Sequence, residues 1–583
     1  MKTLLVYLKD YRKEAIISPL FKLLEALLEL LVPLIMASII DRGIGERNHS
    51  YVLWMGLLLI ACGMVGLVVS LIAQYHAAKA AVGFGKKLRQ AFFAHIQRFS
   101  YSQLDTLGTP MLINRITTDI NQVQTGVNMT LRLLLRSPFV VVGAAVMAFT
   151  VDSRVAMVFL VMIPLLALVV WLLMSITIPG HREVQGRLDR VLLRVRETLT
   201  GVRVIRAFTK EETEVLGFER EHGLLTAKQS QVGRISALMN PLTYVIVNVA
   251  LIALLWSGGM QVQGGLLTQG AVVALVNYLS QILVELIKFA NLLLTLTKSL
   301  ACASRIEQVL TQKAQEEHAG GTGAGETQGR EPEADFRAKS VCFDHVSMRY
   351  QGAGEEALSD ISFQVEAGQT VGIIGGTGSG KSTLVNLIPR FYEAAQGRVL
   401  VGGVDVRRQP LYILRKDIGV VPQHATLFRG TIRENLLWGD ESAAQEDLWE
   451  ALRLAQAAEV VQGKPGGLEE IIEQNGRNVS GGQRQRLTIA RALVRKPSIL
   501  ILDDSSSALD FATDAALRKA LRGLAGKMTV FITSQRASTV RFSDVILVLE
   551  DGALVGSGTH EELLASCRVY QEIYHSQHQG GAA

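Results

Sequence analysis

The fold of this chain's second half is decided by the stretch Gly375-Gly376-Thr377-Gly378-Ser379-Gly380-Lys381-Ser382. It fits G-x-x-x-x-G-K-[ST], the sequence pattern of a phosphate-binding loop. An apolar run at 370–374 precedes it and predicts a strand, while 383–388 predicts a helix. Glycines let a backbone curl around phosphate, and a helix start favours an anion. We therefore expect a strand–loop–helix unit that binds a nucleotide's phosphates.

The side chains of this loop indicate what it would bind. Lys381 can reach the β- and γ-phosphates of ATP, and the hydroxyl of Ser382 can ligate Mg²⁺. Residues 498–503 form an apolar run ending in Asp503, which predicts a buried strand whose carboxylate holds Mg²⁺ through water. The predicted nucleotide ligands in and after the loop are Gly375, Gly376, Thr377, Gly378, Ser379, Gly380, Lys381, Ser382 and Thr383.

A second glycine-containing stretch precedes an amphipathic segment at 484–493. It reads Ser480-Gly481-Gly482-Gln483, and a serine with two glycines at a helix start forms a second site for an anion. The phosphate-binding loop already holds the chain's own nucleotide. The spare site is therefore best explained if it closes on a nucleotide held by another subunit. The alternative is an ordinary helix cap.

The chain has 583 residues, too many for one domain, and its composition is uneven. Long apolar runs dominate 1–300, whereas 336–583 have the composition of a soluble α/β domain. Four widely separated cysteines form no metal, redox or disulfide pattern. We predict four segments: an amphipathic elbow at 1–15, a membrane domain at 16–310, a linker at 311–339 and a nucleotide-binding domain at 340–583.

Six segments of the first half are long and apolar enough to span a bilayer, which takes about 20 residues. Basic residues concentrate in the two long connections between them, so the positive-inside rule places these connections and both termini in the cytoplasm. The lipid bilayer is a predicted partner, and no nucleic-acid partner is expected. The predicted spans are 16–40, 51–76, 131–151, 154–177, 241–262 and 271–297.

The two long connections keep a helical pattern and lack turn residues, which predicts helices that continue far out of the bilayer. Each connection has a predicted short amphipathic helix at its tip, at 108–120 and at 204–218. Such a tip is either a solvated loop or a coupling element that docks onto the ATPase domain.

Ionisable residues inside spans are costly and therefore informative. Lys22, Glu25 and Glu29 lie on one face of the first predicted span, and Glu285 and Lys288 lie three apart in the sixth. They form an internal ion pair, lie nearer the membrane interface than the span bounds indicate, or form a polar patch that faces the translocation cavity and attracts cationic substrates. The sequence leaves these interpretations open.

The motifs together resemble those of the ATP-binding cassette (ABC) family, through the phosphate loop, Gln423, the signature at 479–483, Asp503 and Asp510. The whole chain is similar to a half-transporter of the bacterial heterodimeric multidrug exporters. This implies a six-helix α-helical transmembrane domain of type IV exporter form, followed by an α/β P-loop ATPase domain. It also implies ATP and Mg²⁺, with Tyr350 stacking on adenine, Gln423 sensing Mg²⁺ and Asp510 linking two sites.

Two positions depart from the active family pattern. The residue after Asp503 is usually a glutamate that acts as general base, but here it is Asp504, one methylene shorter. The usual switch histidine is replaced by Gln535, which can hydrogen-bond a γ-phosphate but cannot carry a charge. Both changes indicate a site that binds ATP and hydrolyses it poorly. The resemblance thus implies the degenerate-site half of a heterodimer, whose partner is a second half-transporter.

The leading hypothesis is an exporter of amphipathic drugs, a hydrophobic small-molecule substrate class, in a bacterial inner membrane with a cytoplasmic ATPase domain. A lipid or lipopeptide flippase has the same architecture, and a siderophore importer on this fold is less favoured. An ATP-sensing regulatory or channel-like membrane protein would suit the two poor catalytic positions, although the intact signature argues against it. The six spans exclude a soluble DNA-repair ATPase.

Overall fold

The computed structural model describes residues 3–313, 338–524 and 526–578. They form two compact units, one of residues 3–96 and 110–313, the other of residues 97–109, 338–524 and 526–578. The short segment Gln97–Thr109 was assigned to the membrane domain from sequence, but it packs with the second unit. Most of the predicted linker, 314–337, lies outside the described residues.

Six helical segments before residue 314 are long and apolar enough to cross a membrane, which confirms the predicted six-helix membrane domain. The helices extend well beyond their apolar parts. His49–Ile96, with 48 residues, is about 72 Å long at 1.5 Å per residue, more than twice the hydrocarbon thickness. The six segments are Leu4–Ile44, His49–Ile96, Thr109–Val151, Met157–Thr200, Glu211–Gln263 and Gln269–Leu310.

A 3₁₀ helix, Leu4–Tyr11, occupies the predicted elbow. The Tyr11 ring lies so close to Gly83 that a Cβ there would overlap it, and Asp10 pairs with Lys87 at 3.0 Å. The elbow is therefore fastened to the second span. The α-helices described up to residue 313 are α1 Arg12–Ser38, α2 His49–Ile96, α3 Tyr101–Leu107, α4 Thr109–Asn114, α5 Ile120–Leu133, α6 Arg136–Val151, α7 Met157–Thr200, α8 Val202–Ala207, α9 Glu211–Ala237, α10 Met239–Gln263 and α11 Gln269–Leu310.

Small side chains allow the helices of the first unit to approach closely. Ala26 of α1, Ala144 of α6 and Ala274 of α11 are fully buried in one apolar cluster. In lipid there is no hydrophobic driving force between helices, so the close packing of small residues drives their association. The outward faces carry exposed apolar side chains such as Leu53 and Trp54, as a lipid-facing surface requires.

The first connecting tip differs from its prediction. Within the predicted range 108–120, the short helix α4 and a π-helical turn at Arg115–Asp119 run on into α5, and a further short helix, α3, precedes the range. Ser100 and Gln103 form a capping box that starts α3, and Gly108, with φ +73°, ends it. The second tip, α8, overlaps only the beginning of its predicted range 204–218, because α9 already begins at Glu211. The predictions missed these boundaries because they did not use the cap and turn residues.

The second unit contains two large sheets and a small two-stranded one, in which β7 pairs with β8. A six-stranded sheet has the order β12-β11-β3-β10-β9-β6, and a four-stranded sheet has the order β2-β1-β4-β5. The strands are β1 Val341–Met348, β2 Leu358–Val365, β3 Thr370–Gly375, β4 Gln396–Val401, β5 Val404–Asp405, β6 Ile418–Val421, β7 Gly430–Thr431, β8 Ile471–Ile472, β9 Ile499–Asp503, β10 Thr529–Ser534, β11 Val545–Glu550 and β12 Ala553–Gly558.

The helices of the second unit that follow α3 surround these sheets. Four of them lie next to residues of the site or end the described chain. The helix α12 follows β3, α17 begins within the signature stretch, α19 follows β10, and α21 is the last described helix. They are α12 Lys381–Leu387, α13 Leu411–Lys416, α14 Ile432–Leu437, α15 Gln445–Leu454, α16 Ala458–Gln462, α17 Gly481–Val494, α18 Phe511–Arg522, α19 Ala537–Val540, α20 His560–Ser566 and α21 Arg568–His578.

The centre of the six-stranded sheet is parallel, with β10 paired to both β3 and β9. Helices cover both faces of such a sheet, which explains why these strands are near-continuous apolar runs. The carboxyl ends of parallel neighbours lie at one edge, where ligands bind in open α/β sheets. The residues that follow β3, β9 and β10 therefore meet there.

Candidate nucleotide-binding site

A cavity of about 340 Å³ lies at the carboxyl ends of β3, β9 and β10. It brings together side chains that are up to 185 positions apart in sequence, from Tyr350 to Gln535. Most of the residues predicted to bind nucleotide line it. The lining residues are Tyr350, Ala357, Thr377, Gly378, Ser379, Gly380, Lys381, Ser382, Thr383, Gln423, Asp503, Asp504, Thr533 and Gln535.

The loop between β3 and α12 wraps around the Lys381 ammonium group. This group donates to the carbonyl oxygens of Gly375 at 2.9 Å and Gly376 at 2.5 Å. Gly378 and Gly380 have φ of +83° and +94°, which L side chains rarely adopt. Burial lowers the pKa of Lys381, while nearby Asp504 and Asp503 oppose that shift. The cation is thus held at the cavity by weak neutral acceptors that a phosphate oxygen can replace.

Three side chains from three elements meet below the loop. The Ser382 hydroxyl donates to Oδ1 of Asp503 at 2.9 Å, and the Thr533 hydroxyl donates to the same oxygen at 2.7 Å. A hydroxyl and a buried carboxylate are hard oxygen ligands of the kind that Mg²⁺ takes together with phosphate oxygens. The pair Ser382 and Asp503 fits the predicted magnesium site.

Asp504 follows β9 in a left-handed conformation, with φ +42°. Its backbone N–H donates to the Thr533 hydroxyl at 2.8 Å, which holds this turn against β10. Burial and the neighbouring charge of Asp503 raise the pKa of Asp504, although Lys381 and a hydrogen bond from Gln423 lower it in part. The carboxylate at the general-base position is therefore inside the cavity and poorly solvated.

Tyr350 and Thr383 are joined across the entrance of the cavity, with their hydroxyl oxygens 3.0 Å apart. The Tyr350 ring also meets Tyr392 edge to face at 5.1 Å. A ring held in this way presents a defined face beside the loop. The geometry is compatible with the predicted stacking on adenine, which stays a prediction.

The signature residues do not line this cavity. Ser480 caps α17, where its hydroxyl accepts from the backbone N–H of Gln483 at 3.2 Å and its own N–H donates to the Gln483 side chain at 3.1 Å. Ser480 and Gly481 are exposed, and Gly482 and Gln483 are partly so. The stretch is a rigid, capped helix start on the surface of its unit.

Thr533 was not identified from the sequence. It bonds both the carboxylate of Asp503 and the backbone of Asp504, and it belongs to the buried face of β10. One signal was present, because a polar residue follows the apolar run Val530 to Ile532, two positions before Gln535. That signal has meaning only once β10 is known to lie beside β9.

The in-membrane charges form ion pairs inside the first unit. Arg136 joins Glu285 at 2.6 Å and Glu29 at 2.5 Å, and Lys288 joins Glu285 at 2.8 Å. Ser137 also donates to Glu285, which is only 2% exposed. In the first span, Lys22 pairs with Glu25 at 2.5 Å. Of the interpretations that the sequence left open, the structure contains internal ion pairs, and their central residue, Arg136, was not predicted from the sequence.

Comparison with known proteins identifies the family. The family profile described as ABC transporter transmembrane region matches residues 15–286, and the profile described as ABC transporter matches 358–507. The chain belongs to the ABC transporter family. Its ATPase domain couples ATP hydrolysis to transport, it is a multi-pass membrane protein with that domain in the cytoplasm, and ABC ATPase domains in general bind ATP with Mg²⁺.

This ABC transporter is similar to proteins of several bacteria. It is 36% identical to YfiB of Bacillus subtilis, an uncharacterized ABC transporter ATP-binding protein, over 99% of this chain and 98% of that protein. It is 30% identical to an ATP-dependent lipid A-core flippase of Chromobacterium violaceum, over 99% and 97%. A bacterial Atm1-family ABC exporter with ATP bound shares the fold, with a TM-score of 0.80, 22% identity and coverage of 98% and 99%.

Proposed function

We propose that this ABC transporter is one subunit of a heterodimeric, ATP-driven exporter of amphipathic drugs or lipid-like compounds. Its own loop site binds ATP and hydrolyses it slowly, and its signature stretch completes the hydrolytic site of a partner half-transporter. The observation that carries the proposal is the presence of both Asp504 and Gln535 in the cavity beside a complete phosphate-binding loop.

The residues that would bind ATP and Mg²⁺ are all present. Lys381 would hold the β- and γ-phosphates, Ser382 and Asp503 would hold Mg²⁺ together with Gln423, and Tyr350 would stack on adenine. Bound Mg²⁺ neutralises the charge that develops on the phosphates during transfer. The loop residues from Gly375 to Thr383 would supply the remaining contacts through backbone N–H groups and hydroxyls.

The two residues that would promote hydrolysis are poorly suited to it. Asp504 is one methylene shorter than glutamate, about 1.5 Å of reach, and a misplacement of roughly 1 Å can cost about 100-fold in rate. Gln535 cannot be charged at any pH, so it can donate a hydrogen bond to a γ-phosphate oxygen without adding positive charge. The expected result is slow hydrolysis with retained affinity.

The signature stretch has a use only in an assembly of two ATPase domains. Ser480 to Gln483 form an exposed helix start whose N–H groups favour an anion, and the chain's own cavity does not include them. They would close on ATP held by the partner, and Asp510, exposed at the start of α18, would communicate between the two sites. The bacterial relatives support a location in a bacterial inner membrane.

Turnover measurements test this division of labour. The purified chain alone is expected to hydrolyse ATP slowly, and addition of its partner half-transporter is expected to raise the rate. In that complex, Asp504→Asn should change turnover by less than about twofold, because loss of a working general base costs about 100-fold or more. Brisk turnover by the chain alone, with a large loss in Asp504→Asn, would refute the heterodimer.

A second candidate is a lipid flippase. Two relatives are described as ATP-dependent lipid A-core flippases, at 30% and 32% identity, whereas YgaD of Bacillus subtilis, a putative multidrug export protein, is 29% identical. Translocation of a fluorescent lipid in proteoliposomes, compared with ATP-driven drug accumulation in inverted vesicles, separates the two. Lipid transfer without drug accumulation would favour the flippase.

A further inference from the structure

The switch segment, residues 535–537, connects β10 to α19 beside the cavity. Gln535 lines the cavity, and its side chain can reach a bound nucleotide only if the backbone of this segment is held in place. Gln535 and Arg536 are exposed, so burial does not hold them. The restraint must come from hydrogen bonds and from the elements packed beside the segment.

The side-chain amide of Gln577, on α21, spans the switch segment. Its Nε2 donates to the carbonyl oxygen of Gln535 at 2.7 Å, and its Oε1 accepts from the backbone N–H of Ala537 at 2.8 Å. One amide thus satisfies an acceptor at the start of the segment and a donor at its end. A flipped amide would set donor against donor and acceptor against acceptor, so the two bonds define one orientation.

The helix that carries Gln577 packs on a buried apolar cluster. Tyr570 of α21 is fully buried in an apolar cluster with Ala537 and Val540 of α19, and Ile573 packs against the same cluster. Ile374, the residue before the phosphate-binding loop, belongs to that cluster as well. The C-terminal helix therefore rests on both the switch helix and the strand that leads into the loop.

Other contacts hold the neighbours of Gln535 but leave its carbonyl to Gln577. The backbone N–H of Arg536 donates to the Ser534 hydroxyl at 3.0 Å, and Arg518 of α18 donates to the carbonyl of Ser538 at 2.8 Å. The guanidinium of Arg536 lies 5.6 Å from the Phe511 ring. These contacts hold residues on either side, so loss of the Gln577 bonds would release the Gln535 peptide without unfolding the segment.

We propose that Gln577 is a positioning residue for the nucleotide site, through which the C-terminal helix orients Gln535 toward the γ-phosphate. The inference rests on the role proposed above for Gln535. It assigns the helix α21, outside the known sequence motifs of the site, a part in distinguishing ATP from ADP. Only ATP carries the phosphate that Gln535 would contact, so the effect is confined to ATP.

Equilibrium binding of ATP and of ADP to the purified full-length chain, with Mg²⁺, tests the proposal by competition against a fluorescent ATP analogue. Gln577→Ala is expected to weaken ATP about fivefold, the usual worth of one hydrogen bond, and to leave ADP unchanged. Gln577→Glu has nearly the same shape but lacks the donor to Gln535, so the same direction is expected. Gln571→Ala is the matched control, because Gln571 on the same helix donates to the Leu564 carbonyl at 2.7 Å, away from the switch segment.

A double variant separates positioning from a general structural effect. If Gln577 acts through Gln535, Gln577→Ala should weaken ATP no further when Gln535→Ala is already present. Equal losses for ATP and ADP, or additive losses in the double variant, would overturn the inference. If Gln535→Ala weakens ATP and Gln577→Ala does not, the inference alone fails. If Gln535→Ala itself leaves ATP binding unchanged, the role proposed for Gln535 fails and the inference falls with it.

Discussion

At the scale of single residues, the two adjacent carboxylates of the nucleotide site have different surroundings. Asp503 is stabilised by two hydroxyl donors, whereas Asp504 has a raised pKa because of burial and the adjacent charge of Asp503. An acid whose folded-state pKa lies above its unfolded value destabilises the fold once it ionises. This cost is absent below the unfolded pKa and fully present above the raised one.

Asp504→Asn is therefore expected to raise the thermal midpoint of the nucleotide-free protein at neutral pH. The gain should shrink toward zero as the pH falls through the raised pKa, since the wild-type carboxyl is then protonated. Unfolding followed from about pH 4 to about pH 8 measures the effect. Asp510→Asn is the control, because hydrogen bonds from Thr513 lower the pKa of Asp510 and predict the opposite sign. A lower midpoint for Asp504→Asn at neutral pH would contradict the prediction.

At the scale of elements, one buried cation links three spans. Arg136 begins α6 and contacts Glu29 on α1 and Glu285 on α11. Removal of one partner of a buried ion pair leaves an uncompensated charge, whereas removal of the whole group can be neutral. With Lys288, which pairs with Glu285, the network has two positive and two negative charges, which argues against attraction of cationic substrates.

Arg136→Met is expected to destabilise the membrane unit by less than the about 3–5 kcal/mol typical of a fully broken buried ion pair, because Lys288 and Ser137 still contact the carboxylate of Glu285. The double variant Arg136→Met with Glu285→Met should recover much of that loss. Thermal unfolding of the detergent-solubilised protein provides the comparison. Arg568→Gln, which breaks the exposed pair with Glu572, is the control and should leave the thermal midpoint nearly unchanged, because water screens that pair. If the thermal midpoint of the double variant is no higher than that of Arg136→Met, the loss of stability comes from packing and not from charge.

At the scale of the whole molecule, α3 follows the long helix α2 in the chain but belongs to the second unit. Its Tyr101 stacks on Phe391 at 4.5 Å, and Asp105 accepts from the hydroxyl of Tyr392 at 2.6 Å. Burial raises the pKa of Tyr392, and the hydrogen bond to Asp105 raises it further. Since only residues 97–100 separate this helix of the ATPase unit from α2 along the chain, we expect it to take part in coupling hydrolysis to transport.

Tyr101→Ala is expected to reduce substrate transport about fivefold while basal ATP hydrolysis stays within about twofold, because a stacked aromatic pair contributes roughly 0.5–1.5 kcal/mol. Transport and hydrolysis measured on the same proteoliposomes give the amount of substrate transported per ATP hydrolysed. Tyr412→Ala, at an exposed tyrosine of α13, serves as the control. Equal loss of both activities in Tyr101→Ala would indicate damage to the ATPase domain rather than uncoupling.

Elements with local signals could be predicted from the order of the residues alone. The phosphate-binding loop, the strand that ends at Asp503 and the six apolar spans are each contained in one continuous stretch. Glycine spacing, a run of apolar residues and hydropathy depend only on near neighbours. The domain order and the family resemblance followed from these stretches.

Contacts between residues that are distant in the chain could be seen only in the folded protein. The contact of Thr533 with Asp503, the pairing of Arg136 with Glu285 and the hold of Gln577 on Gln535 each join separate elements. Sheet order and helix packing bring such pairs together, and neither is encoded in a local pattern of residues. The same reason explains why the structure, and not the sequence, assigned α3 to the ATPase unit, because that assignment depends on aromatic contacts nearly 300 residues away along the chain.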